Sequence, residues 1–466
     1  MGKRALLALV RVPNATLFGV CLLIVLSACS KAPARNRETQ IDAGSTATAS
    51  SSAIVAPSPR VAPVVHEAPQ STDKETPALA HHEAIALRDV SLTLQRGTTL
   101  DLRIPNDVEM NVASEGMKRS RFMAESPDGR LFITDLIDMS DNSRGIVYVL
   151  SDFDATSHQF GKRAAYLTGQ RNPNNVAFHT DSTGTWIYIA ETHRLVRYRY
   201  VAGADAPSGE PQTLATFPDY GLNYKYGGWH LTRTVTFGPD GTLYVSAGSS
   251  CNACEEKEEV RATVQAMTAD GKNPRIYARG LRNAVGLKFI GHALFATDMG
   301  ADQFGNDVPD ERMFSLNAGA NYGWPHCYQD HATVKPDPVF GVGDAGALCA
   351  HVPAPFARFP AHAAPLGFEH FDHDAALPDL KDSFVVALHG STKKSIGHGY
   401  RVVRVREGGA PPDDVISGFM HDEKVYGRPV DVLKWRDGML VSDDFAGAIY
   451  FLMARERSAI APKSAD

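Results

Sequence analysis

The sequence predicts an all-β fold, a six-bladed β-propeller, on three observations. A turn-plus-strand pattern recurs six times, its recurrences are nearly evenly spaced, and glycine and proline are plentiful (39 and 28 of 466 residues), with the glycines at turn positions. The recurrences are SPDGRLFITD ending at Asp135, HTDSTGTWIYIAE at Glu191, FGPDGTLYVSAG at Gly248, GHALFATD at Asp298, LKDSFVVALH at His389 and WRDGMLVSDD at Asp444. Each alternates β-branched or aromatic residues with others, as a strand does, and most end in an acidic residue or glycine. Successive endpoints lie 56, 57, 50, 91 and 55 residues apart. Four near-equal gaps argue for one supersecondary unit repeated, and the long gap for an insertion. A unit of about 50 residues with several short strands suits a propeller blade, whose ring closure removes free sheet edges. Two stacked β-sandwiches fit the spacing less well. The segment LRDVSLTLQRGTTLDLRI is expected to lend a strand to the last blade.

The N-terminus reads differently. Lys3, Arg4 and Arg11 precede the apolar run ATLFGVCLLIVLSA, which is shorter than the roughly 20 residues of a spanning helix and suits a signal peptide. The run ends in Leu26-Ser27-Ala28-Cys29, which resembles a bacterial lipobox, with Cys29 as the lipidated residue. Residues 30–85 are rich in Ala, Ser, Thr and Pro and lack aromatics, so they cannot bury enough apolar surface to offset chain entropy. The expected organisation is a lipoprotein signal peptide (1–28), a lipidated, disordered tether (29–85) and the propeller (86–466). Ser30 after the cysteine favours the periplasmic face of an outer membrane. The chain is thus expected to be exported and held to the membrane by its lipid alone.

Export bears on the cysteines. With Cys21 in the signal and Cys29 lipidated, Cys251, Cys254, Cys327 and Cys349 remain, most simply as disulfides 251–254 and 327–349. A zinc site competes, but there is only one C-x-x-C. Haem attachment would need histidine after the second cysteine, where Glu255 stands. A formal net charge of −6 offers no basic face for nucleic acid, and 43% hydrophobic with 21% charged residues is ordinary for a globular protein. The insertion between Asp298 and His389 holds NYGWPHC and two of the cysteines, and a long pinned loop on a propeller face suits the wall of a binding site.

Six stretches carry a resemblance: WHLTRTVTFGPDGTLYVSAGSSCNAC, YARGLRNAVGLKF, ATDMGADQFGNDVPDE, NYGWPHCY, ALHGSTKKS and YGRPVDV. Through them, residues from about 108 to 453 resemble the glucose/sorbosone dehydrogenase family, six-bladed propellers that use pyrroloquinoline quinone (PQQ) and Ca²⁺. The chemistry is consistent. Oxidising an alcohol or hemiacetal requires a base for the hydroxyl proton and a hydride acceptor, which no side chain provides. A Rossmann-type nicotinamide signature, a G-x-G-x-x-G between a strand and a helix of a βαβ unit, is missing. A trianionic quinone calls for arginine or lysine partners and a divalent cation.

By this resemblance His230 is the general base, although taken alone it reads as a histidine capping a strand. Arg282 and Asn283 match the pair that contacts the cofactor, and Arg428 matches a carboxylate ligand, though it could instead pair with Asp431 or Asp443. Lys394 or Lys393 matches a cation near the quinone. Gly300 and Ala301 fall where backbone carbonyls ligate Ca²⁺, and Glu311 with the Tyr322 carbonyl matches a second, structural Ca²⁺ site; a solvated loop acid is the equal alternative for Glu311. Two departures stand out. Where the glucose-oxidising branch has Gly-Asp, with the aspartate orienting the histidine, this chain has Gly248-Ser249. The stretch Ser-Ser-Cys-Asn-x-Cys is similar to the sorbosone-type branch instead. The expected activity is therefore PQQ- and Ca²⁺-dependent oxidation of a sugar or aldose, delivering electrons to an unidentified external acceptor. The alternatives are a non-catalytic carbohydrate- or envelope-binding propeller and a metal-dependent lactonase. The latter needs convergent Glu, Asn and Asp side chains that the repeats do not supply.

Overall fold

The computed structural model describes residues 84–219 and 229–455. The signal peptide, Cys29 and nearly all of the tether lie outside the described residues. Six four-stranded antiparallel sheets form the blades, each a meander, and their first strands touch one another in a closed ring. These first strands are Ser120–Glu125, Asn175–Asp181, Arg233–Phe237, Leu287–Ile290, Pro365–Phe371 and Pro429–Trp435. The six turn-plus-strand repeats are the second strands, Leu131–Asp135 through Gly438–Asp443, which accounts for their even spacing.

Both faces of these strands are buried. In Leu243–Ala247, Leu243, Val245 and Ala247 pack on blade 2, while Tyr244 packs on blade 4. A blade sits between two neighbours, so each blade–blade interface has its own apolar cluster, six in all among the described residues, and a seventh small cluster lies in the channel. Ring closure differs from expectation. The strand completing blade 6 is Val108–Glu115, paired with Ala448–Ala454. The segment expected there folds on itself as the hairpin Leu87–Thr93/Thr99–Pro105. It bonds blade 5 through Arg103 and Ser417 and adds Leu100, Leu102 and Ile104 to the core between blades 5 and 6. The turn at Asn106-Asp107 reverses the chain, so the next segment closes the ring.

The insertion lies within blade 4, between Glu311–Leu316 and Ala357–Phe359. It carries the hairpin Cys327–Asp330/Thr333–Pro336 and is pinned by a disulfide between Cys327 and Cys349; the second disulfide joins Cys251 and Cys254.

Candidate active site

The site is assembled where the second strands end. In four blades the terminal acid accepts backbone N–H groups of the loop leading into that blade's first strand. Asp135 takes Lys118 and Arg119 (2.9 and 2.8 Å), Glu191 takes Arg171 (2.6 Å), Asp298 takes Asn283 (2.8 Å) and Asp443 takes Arg428 (2.9 Å). A carboxylate suits this work because it only accepts and can serve several donors. Blades 3 and 5 lack the acid: their strands run into Ser249 and His389. These loops enclose a cavity of about 400 Å³, within the range of small-molecule sites. His230, Arg282, Asn283, Gly300, Glu311 and Arg428 all line it.

His230 sits in the left-handed region (φ +44°), sparsely populated for a non-glycine residue. Buried Arg233 holds it there, donating to the His230 carbonyl at 2.7 Å. The facing residue must be glycine, since a Cβ on Gly248 would lie 2.6 Å from the His230 Cβ and 2.5 Å from Asn283 Oδ1. The ring's tautomer follows from its partners. Nδ1 lies 3.1 Å from the Ser249 carbonyl and 2.9 Å from Ser249 Oγ, whose own proton goes to the Cys251 carbonyl at 2.7 Å. A carbonyl only accepts, so Nδ1 carries the ring proton and Nε2 keeps its lone pair. Burial, then the Arg282 charge, holds the imidazole well below its ordinary range, outweighing the Ser249 bond. At neutral pH His230 is an uncharged base.

The C-x-x-C positions an arginine. Asn252, inside the Cys251–Cys254 ring, accepts from Arg282 Nε through its carbonyl (2.9 Å) and from Arg282 Nη2 through Oδ1 (2.8 Å). The same two oxygens take Trp324 Nε1 (3.2 Å) and the Asp302 amide (2.9 Å). Arg282 is thereby fixed beside His230, with Asp302 Oδ2 at 3.3 Å.

Across the cavity, Arg428 donates to the carbonyls of His389 (3.0 Å), Gly390 and Ser391 (3.4 Å) and, among the described residues, pairs with no carboxylate. Arg121 bonds Asn174 Oδ1 and Asp444 Oδ2, each at 3.1 Å. Burial opposes ionisation of Asp444, but His389, Arg121 and Arg119 hold its carboxyl well below the usual range. The floor is apolar: Val285, Leu366 and Met299, backed by Phe122 and Val430. At the mouth Met139 and Trp229 stay 55% and 44% exposed, which is unusual for large apolar side chains lining a cavity.

Three site residues of the sequence reading, Lys394, Tyr322 and Ala301, do not line this cavity. Lys394 is exposed and not among the lining residues; Ser391 and Thr392 of the same loop are. The Tyr322 carbonyl accepts from Arg312 Nη1 at 3.3 Å. Glu311 stands instead with Gly300, whose amide donates to it at 2.7 Å, while Ala301 borders an adjoining small pocket. Burial pushes the Glu311 carboxyl up to about 8 against that bond and the Arg282 charge. Sequence reasoning missed Arg121, Asp302, His362 and His389, all of which line the cavity. His389 carried a signal, because it occupies the strand-end position that bears an acid in four other repeats.

The fold and site define a six-bladed propeller with a neutral histidine and an arginine-rich wall facing one cavity. A family profile described as TrAA12-like matches residues 102–417, and the chain belongs to that family of PQQ-dependent sugar-dehydrogenase-like proteins. Among solved structures it is similar to a Trichoderma reesei member of carbohydrate-active enzyme family AA12, with 18% identity and a TM-score of 0.61, covering 75% of this chain and 97% of that one. It is also similar to the holo PQQ domain of pyranose dehydrogenase from Coprinopsis cinerea, with 19% identity and a TM-score of 0.61, covering 78% and 98%. At these identities the likeness is one of fold. An uncharacterized protein of Borreliella burgdorferi is 28% identical over 221 residues, which span 45% of this chain and 56% of that protein, so the match covers little more than half of that relative's length.

Proposed function

We propose that the protein oxidises the hydroxyl or hemiacetal carbon of a sugar or aldose, with PQQ and Ca²⁺ in this cavity and His230 as general base. The observation that carries the reading is the bare Nε2 of His230 facing a cavity walled by Arg121, Arg282 and Arg428. The donor set fits a polycarboxylate quinone: three buried or half-buried guanidiniums, with Arg428 pairing with no carboxylate among the described residues, above an apolar floor that suits flat rings. When bound, PQQ supplies the hydride acceptor that no side chain can be. Arg282, Arg428 and Arg121 would hold its carboxylates, with Asn283 beside them. The carbonyls of Gly300 and Ala301, with Glu311, would hold Ca²⁺, which favours oxygen ligands. His230 Nε2 then takes the substrate hydroxyl proton, while Ser249 keeps the ring oriented and its Nδ1 protonated. Trp229, its ring centroid 5.7 Å from that of His230, offers an apolar platform for a sugar ring at the mouth. Export by the signal peptide and anchoring through Cys29 would place this chemistry on the periplasmic face of an outer membrane. A Cys29→Ala chain that still partitions into detergent would overturn the anchor.

The test is a titration of the purified protein with PQQ, with and without Ca²⁺, following cofactor absorbance and melting temperature. Saturable, Ca²⁺-dependent binding that weakens in Arg428→Ala, with sugar-dependent reduction of an artificial acceptor that is lost in His230→Ala, is the expected result. No binding at high micromolar PQQ sinks the enzyme reading and leaves a carbohydrate- or envelope-binding propeller.

A further inference from the structure

A second histidine borders the same cavity and has no task in the reaction set out above. His389 directly follows the second strand of blade 5, Ser383–Leu388, and its Nε2 lies 2.9 Å from Asp444 Oδ1. Asp444 is fully buried, with Arg121 at 3.1 Å and Arg119 at 3.7 Å. Held between two guanidiniums, Asp444 stays ionised and can only accept, so Nε2 carries the ring proton. Nδ1 is left bare and, among the described residues, has no hydrogen-bond partner.

The charges around this ring are nearly all accounted for by neighbouring blades. Arg428 of blade 6 donates to the His389 carbonyl at 3.0 Å, and its own amide is held by Asp443. Arg121 and Arg119 of blade 1 reach the ring through Asp444. From blade 5 itself the neighbours are Ala364, Gly390 and Tyr400, the last packed against the Arg428 guanidinium. Burial, and then Arg428 with Arg121, hold the ring neutral against the pull of Asp444, with its pKa lowered to about 4. A ligand whose carboxylates pair with Arg428 and Arg121 cancels two of the charges that keep the ring neutral. It also sets acceptor oxygens against a nitrogen lone pair, a repulsion that a proton on Nδ1 converts into a charge-assisted hydrogen bond.

We propose that His389, positioned by Asp444, takes up one proton from solvent at Nδ1 when a polycarboxylate ligand enters the arginine pocket, and so becomes a charged contact of that ligand. This rests on the reading of the cavity as a PQQ site. The sequence reading assigned the cation beside the quinone to Lys394; here it is created on His389 by binding. Uptake makes affinity rise as pH falls, across the window between the free ring's pKa of about 4 and the higher value of the bound ring.

The experiment is calorimetric titration of the purified full chain with PQQ, Ca²⁺ saturating throughout, at pH 5.5 in two buffers of different ionisation enthalpy, for wild type and His389→Gln. Wild type should take up a proton with PQQ and bind tighter at pH 5.5 than at 6.5, by up to about tenfold, the limit for one proton. His389→Gln should bind more weakly, with about one proton fewer taken up and a flatter pH dependence. Equal heats in the two buffers for wild type overturn the proposal even if the variant fails to fold, and so does undiminished uptake in a folded variant. Absence of PQQ binding at every pH instead removes the cofactor reading on which the proposal stands.

Discussion

Blades 3 and 6 hold their loops with the same geometry and opposite chemistry. In blade 6, Asp443 grips the loop by its backbone, taking the Arg428 amide at 2.9 Å, so the Arg428 side chain is free to line the cavity. In blade 3 there is no acid, and Ser249 grips the loop by its side chain, taking the Nδ1 proton of His230. Blade 4 follows blade 6, with Asp298 on the Asn283 amide, and blade 5 follows blade 3 in lacking the acid. The two blades without a latch are the two that turn a histidine to the cavity. A carboxylate at position 249 would pull the neighbouring imidazole towards its charged form, where the serine leaves it neutral; in blade 5 the histidine itself holds the strand-end position and burial keeps it neutral against Asp444.

Removing a latch should cost far more than removing the serine. Asp298 is fully buried and also takes Arg312 Nη2 at 2.8 Å, and Arg312 is itself 3% exposed. Asp298→Ala leaves that guanidinium uncompensated and frees the Asn283 amide, so a loss of about 3–5 kcal/mol is expected in chemical denaturation. A loss below about 1 kcal/mol would mean that the latches are ornaments of the repeat and not what holds the rim.

The latch of blade 6 should also show in the pH dependence of stability. Burial raises the Asp443 carboxyl to about 6, against its bonds to the Arg428 and Ala446 amides. Its folded pKa exceeds the unfolded value, so the folded state binds more protons between about pH 4 and 6. Stability from this group therefore falls as pH rises through that window and is level above it, by at most about 1.4 kcal/mol per pH unit. Asp443→Asn removes that slope. Denaturation of both forms at pH 4.5, 6 and 7.5 decides it, and identical profiles would mean the carboxyl is ionised throughout.

These latches show what the sequence could and could not reveal. The repeat was legible because each second strand is buried on both faces and ends in a residue with a fixed duty, so FITD, FATD and VSDD look alike. That His230, Arg282, Asn283 and Arg428 line one cavity was legible because their motifs lie at strand ends, where position in the repeat fixes position in space. Lys394 was misplaced because the loop after His389 returns to solvent within a few residues, and nothing in HGSTKKS marks where it leaves the cavity. The bond from Arg312 to the Tyr322 carbonyl was not legible, because the two residues lie ten apart on different elements. Ring closure was misread because an alternating strand pattern does not say which neighbour it pairs with; the turn at Asn106-Asp107 decides that.

The finest test of the contrast is Ser249 itself, where a small change in stability should accompany a readable change in chemistry. Ser249→Ala removes one of two acceptors for Nδ1–H and the donor to the Cys251 carbonyl, but the Ser249 carbonyl remains at 3.1 Å. The tautomer should survive, with a stability loss of about 1 kcal/mol and, if His230 is the base, a fall in kcat/KM of less than about tenfold. Ser249→Asp puts into blade 3 the acid that blades 1, 2, 4 and 6 carry. Arg282 and Arg233, both of which depress the imidazole, favour its ionised form. The new charge stabilises the imidazolium, and a base must be neutral to work, so the acid limb of the kcat/KM profile should move to higher pH. An unmoved limb would mean that the Nδ1 edge does not face residue 249, and the tautomer assigned to His230 would fall with it. A moved limb with full activity would show that the serine is there to keep the ring neutral, and that neutrality is what separates the histidine blades from the latched ones.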